Sequence, residues 1–401
     1  MNPLKIPRLI VYSSLFPNSI QPNAGVFIRE RMFRVADHYP IVVVSPVPWF
    51  PFQNLLRLIK PGFRPQPGRF EEQQDIEIYY PRFFSIPGFL KNFDGFFMAL
   101  GSLPTFYRIK RYHPFNIIDA HFAYPDGYAA TLLGKWLKVP VTITLRGTEV
   151  PLSKMPGRKM RMVEALRNAT RVFSVADSIK RHVVSLGAES AKITVVGNGV
   201  DTGKFFPVDR VKVRQELGIP AEAEVLVSVG GLVDRKGYHR VIEVLPDLVK
   251  EFPELIFLIV GGACAEGNNR QFLEEKTKEL GLEEHVRFLG ALPSEQLKKP
   301  LSAADVFVLA TANEGWANVF LEAMACGLPV VTTDVGGNRE VVCDEKLGII
   351  VPFGEPQKLR DAIRTSLIKR WDKNEILNYA LENTWDTRVE TLTKAFSELV
   401  Q

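Results

Sequence analysis

Short β-rich runs alternate with helix-patterned stretches along nearly the whole chain, and the rhythm breaks once, at a glycine-rich segment near the middle, before restarting. Such alternation implies parallel sheets with helices on both faces, because a parallel strand pair needs a long crossover and a helix is the usual one. In the first half the strand pattern falls at Leu9–Ser13, Ile41–Ser45, Asp75–Tyr80, Ile117–His121, Val141–Leu145, Val172–Val175 and Ile193–Val196. In the second it falls at Val225–Val229, Ile256–Val260, Val286–Leu289, Val306–Leu309, Val330–Thr333 and Gly348–Val351. Between them Gly197-Asn198-Gly199-Val200-Asp201-Thr202-Gly203 reads as a turn-rich connector and candidate hinge, or as an ordinary glycine-rich strand end. At 401 residues the chain exceeds what one core usually holds. The expected architecture is α/β, two Rossmann-like doubly wound domains over 1–200 and 201–384. They are expected to face each other across a cleft at the carboxyl ends of their sheets.

Charge separates the halves. Residues 1–200 hold 26 Lys and Arg against 13 Asp and Glu, and residues 201–401 hold 24 against 32. A basic half with no basic helix, zinc spacing or stacking-strand motif argues for an anionic membrane surface over nucleic acid. Cys264, Cys326 and Cys343 are an odd number without Cys-x-x-Cys spacing, which argues against a disulfide framework or a zinc site and points to a reducing cytosol. Lys5 and Arg8 before Leu9-Ile10-Val11-Tyr12 look like the start of an export signal, but the apolar run is too short and reads as a first strand. No apolar run approaches the roughly 18 residues that span a bilayer.

The densest chemistry lies after the strand at Val306–Leu309. There Thr311-Ala312-Asn313-Glu314-Gly315-Trp316-Ala317-Asn318 is a polar loop, and Asn318 is expected to cap a helix that runs to about Cys326 and stops at Gly327. N–H groups from Ala317 through Val319 to Phe320 would lack helical partners and, with the helix dipole, offer a seat for a phosphate without any metal. Glu322, about one turn in, can accept hydrogen bonds from the two hydroxyls of a ribose, and Glu314 would face the sugar that the phosphate carries.

Gly230-Gly231-Leu232-Val233-Asp234-Arg235-Lys236-Gly237 follows another strand and carries two cations before a helix, a plausible clamp on a diphosphate. Arg235 and Lys236 could equally be a solvated pair. Gly336-Gly337 and Gly261-Gly262 permit close backbone approach to a ligand, and a plain strand-to-helix turn would also need them. His121 ends a strand, where it can bond a sugar hydroxyl or serve as a structural donor. No Asp-x-Asp occurs in the chain, so protein cations and helix ends are expected to replace divalent ions.

Glu314 and Glu322, with Glu-Gly-Trp-x-Asn-Val between, resemble the Glu-x7-Glu signature of the family 4 retaining glycosyltransferases of the GT-B fold. The resemblance covers almost the whole chain, densest from Val227 to Pro352. It implies transfer of a sugar from a nucleotide-diphosphate sugar to a hydroxyl of a glycan or lipid-linked glycan in envelope or exopolysaccharide synthesis. Retention would come by same-face attack, with the leaving phosphate taking the incoming proton and no cofactor or metal. Glu314 would position the sugar or stabilise positive charge, and the helix over 385–401 would cross back onto the first domain.

The resemblance also exposes departures. The family's loop often reads Gly-Arg-Leu, then Lys-Gly; here Gly231 replaces that Arg, and Arg235 is the candidate substitute. Only Gly25 of an expected glycine pair remains in Pro22-Asn23-Ala24-Gly25. Arg146-Gly147-Thr148-Glu149 carries Arg where the family has His, which limits position 146 to an electrostatic or positioning role, or to a salt bridge with Glu149. Arg287-Phe288-Leu289-Gly290 resembles the segment lining the base pocket, where contact is often through backbone. The alternative readings are a non-catalytic sugar-nucleotide-binding scaffold subunit and a same-fold epimerase.

Between Trp49 and Arg111 the chain is rich in aromatic and other large apolar groups, including Phe52, Phe83, Phe89, Phe93, Phe96 and Met98, interleaved with Arg57, Lys60, Lys91, Arg108, Lys110 and Arg111. That composition suits a headgroup boundary at the inner face of the cell membrane, or an aromatic core under long loops.

Overall fold

The computed structural model describes residues 6–22, 24–59, 63–64, 66–264 and 266–400. Lys5, Asn23 and Lys60 lie outside the described residues. The chain divides into two compact units, Met1–Asn198 with Arg388–Gln401, and Gly199–Thr387.

The first unit contains β1 (Leu9–Tyr12), β2 (Ile41–Val44), β3 (Val47–Trp49), β4 (Phe70–Gln73), β5 (Ile76–Tyr79), β6 (Arg82–Phe84), β7 (Ile117–His121), β8 (Val141–Leu145), β9 (Arg171–Ser174) and β10 (Ile193–Val195). Its sheet has the order β10-β9-β8-β7-β1-β2-β5-β4, parallel except for β4 against β5. The expected strand start at Asp75 is corrected: Gln74 and Asp75 take φ of 52° and 62° and form the tight turn between β4 and β5. β4, Phe-Glu-Glu-Gln, carries no alternating apolar pattern because it is an edge that pairs on one side only. β3 and β6 form a separate two-stranded sheet with Trp49 opposite Phe84.

The helix Trp385–Glu398 sends Val389, Leu392 and Phe396 into the same core as Leu9, Val11, Ile28 and Met32. Phe396 meets Phe173 edge-on at 5.8 Å. Phe83 and Met98 are core residues, at 5% and 0% exposure, so part of the aromatic run serves packing.

The second unit contains β11 (Val225–Val229), β12 (Ile256–Val260), β13 (Val286–Gly290), β14 (Val306–Leu309), β15 (Val330–Thr333) and β16 (Gly348–Val351), all parallel. Val225, Val227 and Val229 face one apolar cluster and Leu226 the other, so the sheet is buried on both sides as its unbroken Val/Ile/Leu runs require. The order β13-β12-β11-β14-β15-β16 reverses direction between β11 and β14. In the first unit the reversal falls between β1 and β7. Open α/β sheets hold ligands beyond the carboxyl ends of the strands at such reversals. Among the described residues no helix is long and apolar enough to cross a membrane.

Candidate active site

At the β11/β14 reversal, one loop brings cations and the other a carboxylate. β11 runs into the Gly230–Val233 loop, a 3-10 turn at Asp234–Lys236, and Gly237, which starts the helix Tyr238–Glu251. Gly237 has φ of 76°, and a Cβ there would stand 1.9 Å from the Ala310 carbonyl oxygen. Only glycine lets this loop lie against the end of β14. The loop is then stitched to the β14 side: Ala312 N–H and Thr311 Oγ1 both donate to the Arg235 carbonyl, at 2.7 and 2.9 Å.

Three donors converge on Glu314 Oε1: Lys236 Nζ at 2.6 Å, Arg235 Nη1 at 3.2 Å and Thr311 Oγ1 at 3.3 Å. Glu314 is only 8% exposed, so these bonds offset the cost of burying its charge. The other edge of Arg235 forms a two-pronged pair with Glu266, 2.7 Å on each bond. Arg235 is thus not a solvated surface residue. A Cβ at Gly231 would stand 2.8 Å from Cys264 Sγ, which leaves no room for the family's Arg without moving that cysteine.

From the β15 side Gly336, at φ of 52°, would place a Cβ 1.7 Å from the Glu314 carbonyl oxygen. Gly337 N–H donates to that oxygen at 3.3 Å. The Gly336-Gly337 pair therefore packs on the backbone that carries Glu314. Asn338 Nδ2 ties the turn to Thr332 Oγ1 and the Thr333 carbonyl.

The next helix differs from expectation. It spans Asn318–Met324, with Ala317 in the cap position and no side-chain cap bond, so Asn318 is its first residue, and it ends before Cys326. Phe320 N–H already donates to the Ala317 carbonyl at 3.1 Å, which removes one expected free donor. The helix shifts because its apolar face, Phe320, Leu321, Ala323 and Met324, is fully buried and sets the register. Val319, packed against the same core, and Glu322 are each half-buried. Burial, together with the charge of Glu322, pushes the Cys326 thiol up to about 12. The Arg287 side chain is committed elsewhere: Nη1 donates to the Leu217 and Gly218 carbonyls at 3.0 and 3.1 Å.

In the first unit, His121 at the end of β7 is fully buried, and its Nδ1 lies 3.2 Å from Arg146 Nε and 3.1 Å from Arg146 Nη2. Arginine only donates, so Nδ1 accepts and Nε2 carries the proton. Burial first, then the charges of Arg146 and Arg31, hold the imidazole well below its usual pKa. Nε2 stands 3.5 Å from Asp119 Oδ2. His121 is therefore a neutral imidazole fixed as a donor at Nε2, the property that both sequence readings, a bond to a sugar hydroxyl and a structural donor, require.

Arg146 stacks over Phe27 at 4.9 Å and donates to Asn198 Oδ1 at 3.2 Å. Glu149 accepts the backbone N–H groups of Ala123, Arg146 and Gly147 and makes no side-chain hydrogen bond to Arg146. Sequence reading passed over Arg31, which is 0% exposed and donates to the Val196 and Gly197 carbonyls and Asn198 Oδ1. Its one signal was a cation beside Ile28, Met32 and Val35 on the core face of a helix. Gly25, at φ of 69°, would place a Cβ 2.4 Å from the Leu15 carbonyl oxygen, so loop packing alone demands glycine there.

Asp126 accepts from Ser14 N–H and Ser14 Oγ at the end of β1. Burial outweighs those bonds and pushes its carboxyl up to about 7. The folded protein therefore keeps a proton that the unfolded chain releases between about pH 4 and pH 7. The associated stability is complete below the unfolded pKa and lost as pH rises through the folded one. Asp126→Asn is expected to gain stability relative to the parent as pH rises over that window. Urea unfolding at both ends of it checks this; an identical difference at the two ends would remove the assignment.

Comparison with known proteins decides the family. The model described as Glycosyltransferase Family 4 matches residues 32–204, and that described as Glycosyl transferases group 1 matches residues 209–383. The chain is a family 4 glycosyltransferase. A Bacillus subtilis (strain 168) relative named for teichuronic acid biosynthesis, the glycosyltransferase TuaC, is 26% identical over 335 residues, 82% of each chain. A D-inositol 3-phosphate glycosyltransferase of Corynebacterium urealyticum is 35% identical over 222 residues, 53% of this glycosyltransferase and 52% of that one. The match thus spans about half the length of that relative. The crystal structure of Anabaena HepE in complex with UDP superposes with a TM-score of 0.73 at 20% identity, covering 98% of this chain and 100% of that one, which establishes the GT-B fold.

Proposed function

We propose that this glycosyltransferase moves a sugar from a nucleoside diphosphate to a hydroxyl of a glycan or lipid-linked glycan, with retention at the anomeric carbon and without a divalent ion. The observation that carries the reading is the convergence of Lys236 and Arg235 on Glu314 at the β11/β14 reversal. A leaving nucleoside diphosphate gains negative charge as the glycosidic bond breaks. Two cations fixed beside the departing group stabilise that charge more than they stabilise the intact donor. Lys236 and Arg235 supply counter-charge of the kind a metal ion supplies in other transferases. Glu314 lies against both, where its charge stabilises a developing oxocarbenium ion and its oxygens can accept from sugar hydroxyls.

Retention follows if the acceptor attacks from the face the phosphate leaves, the phosphate oxygen taking the acceptor proton while Lys236 and Arg235 hold it. HepE binds UDP and, in another crystal, UDP-glucose, which supports a nucleotide-sugar donor here. Thermal unfolding against a panel of nucleoside diphosphates and nucleotide sugars, with chelator present throughout, tests the reading. The matching donor is expected to raise Tm by a few degrees, because it binds only the folded state. Acceptor glycosylation followed by NMR of the anomeric proton should show the donor's configuration preserved. Turnover abolished by chelator and restored by a divalent cation would sink the metal-free mechanism, and an inverted product would sink retention.

A further inference from the structure

Thirteen of the 26 well-exposed large apolar side chains among the described residues fall between Trp49 and Tyr112, a sixth of the chain. The fold gathers the densest of them into one surface. Phe89, Leu90 and Phe93, exposed at 60%, 42% and 47%, occupy a turn that leads into the helix Asp94–Tyr112, whose first turn adds Phe96 at 40%. Tyr124 Oη and the Lys91 side chain pin this turn from beneath: the hydroxyl donates to the Lys91 carbonyl at 2.5 Å, and Lys91 Nζ bonds Ser85 Oγ and Asp94. The exposure therefore belongs to a held turn.

A second element brings charge to the same place. Asn92 lies against Gly157, where a Cβ would stand 2.2 Å from Asn92 Nδ2, so the Phe89–Phe93 turn sits beside the first turn of the helix Pro156–Asn168. That helix start reads Lys154-Met155-Pro156-Gly157-Arg158-Lys159-Met160, with Met155 and Met160 exposed at 44% and 58%. Among the described residues no carboxylate lies within ion-pair distance of Lys154, Arg158 or Lys159. By contrast Arg108, Lys110 and Arg111 stand about 18 Å or more along the helix from Phe96, at ~1.5 Å per residue. The cations nearest in sequence to the aromatic run are thus not those that accompany it in space.

We infer that the surface formed by the Phe89–Phe96 segment and the Lys154–Met160 helix start docks on an anionic lipid bilayer. Aromatic and Met side chains enter the headgroup boundary while the three uncompensated cations meet lipid phosphates. Charge complementarity selects this occupant: an apolar partner surface would leave three cations desolvated without counter-charge. The inference stands apart from the transfer chemistry, since lipid binding is read without turnover.

Co-sedimentation of the full chain with vesicles of phosphatidylglycerol or of phosphatidylcholine tests it. Binding to phosphatidylglycerol vesicles is expected, falling with salt, and little to phosphatidylcholine. Combined Lys154→Gln, Arg158→Gln and Lys159→Gln should weaken binding by at least about tenfold, and Phe89→Ser with Phe93→Ser should abolish it. Arg108→Gln with Lys110→Gln and Arg111→Gln, at the other end of the helix, should change it little. Circular dichroism melts keep the variants comparable. Equal binding to both vesicle types, no binding to either, or a loss in the distal variant matching that in the proximal one would overturn the inference. So would a concentration-dependent dimer that Phe89→Ser with Phe93→Ser dissociates, since the face would then be covered by a second copy.

Discussion

Glu314→Gln is expected to lower turnover on the order of a hundred- to a thousandfold while the donor binds at least as tightly. The substitution keeps the shape of the side chain and removes the charge that Lys236 and Arg235 approach at 2.6 and 3.2 Å. In the ligand-free protein that carboxylate competes with an incoming diphosphate for the two cations, so the neutral amide leaves them more available to the donor. In the transition state it is the sugar that needs the negative charge, and the amide cannot supply it. The loss should therefore fall on kcat and not on KM. Donor titration by calorimetry alongside steady-state kinetics checks the split. Unchanged kcat would exclude Glu314 from the reacting centre, and lost donor binding would make it a binding residue only.

Gly336→Ala should be nearly as damaging, through geometry instead of charge. At φ of 52° an L side chain costs roughly 1–2 kcal/mol, and the new Cβ would stand 1.7 Å from the Glu314 carbonyl oxygen. That oxygen is backbone and cannot rotate away, so the loop carrying Glu314 must move by an ångström or more. A displacement of that size at a reacting group costs about a hundredfold in rate. Gly218→Ala supplies the control. Its φ is 62°, but nothing lies within 4 Å of the added methyl group, so it carries the strain without the collision. The expected result is similar loss of Tm from strain in both variants, further loss in Gly336→Ala, and a rate defect in Gly336→Ala alone. Full activity in Gly336→Ala would mean that the Gly336-Gly337 turn does not position the site.

Most of the sheet was legible because a strand buried on both faces needs an unbroken Val/Ile/Leu run, as at Val225–Val229 and Ile256–Val260. Where that pressure is absent the reading failed. β4 is a polar edge, and β3 and β6 pair only with each other. The start of the Asn318 helix was misplaced by one position, because a cap-competent side chain gave way to the register demanded by Phe320, Leu321, Ala323 and Met324. His121 and Arg146 were each legible as a polar residue at a strand end, yet their pairing was not, because it depends on burial and on the order of the strands that carry them.

The order of residues alone set the alternation of strand and helix, the two-sheet architecture, and the family, through Glu314, Glu322 and the turns around them. Those are local properties: side-chain periodicity, glycines at left-handed turns and a short contiguous motif. Only the folded chain decided which cations meet which carboxylates. Lys236 and Glu314 are 78 positions apart, Arg31 and Asn198 167 apart, and the turn before one helix meets the start of another where Asn92 lies against Gly157. Which of many distant charges become neighbours is set by strand order and by where a backbone can approach without a Cβ in the way. Neither quantity is carried by any one stretch of the chain.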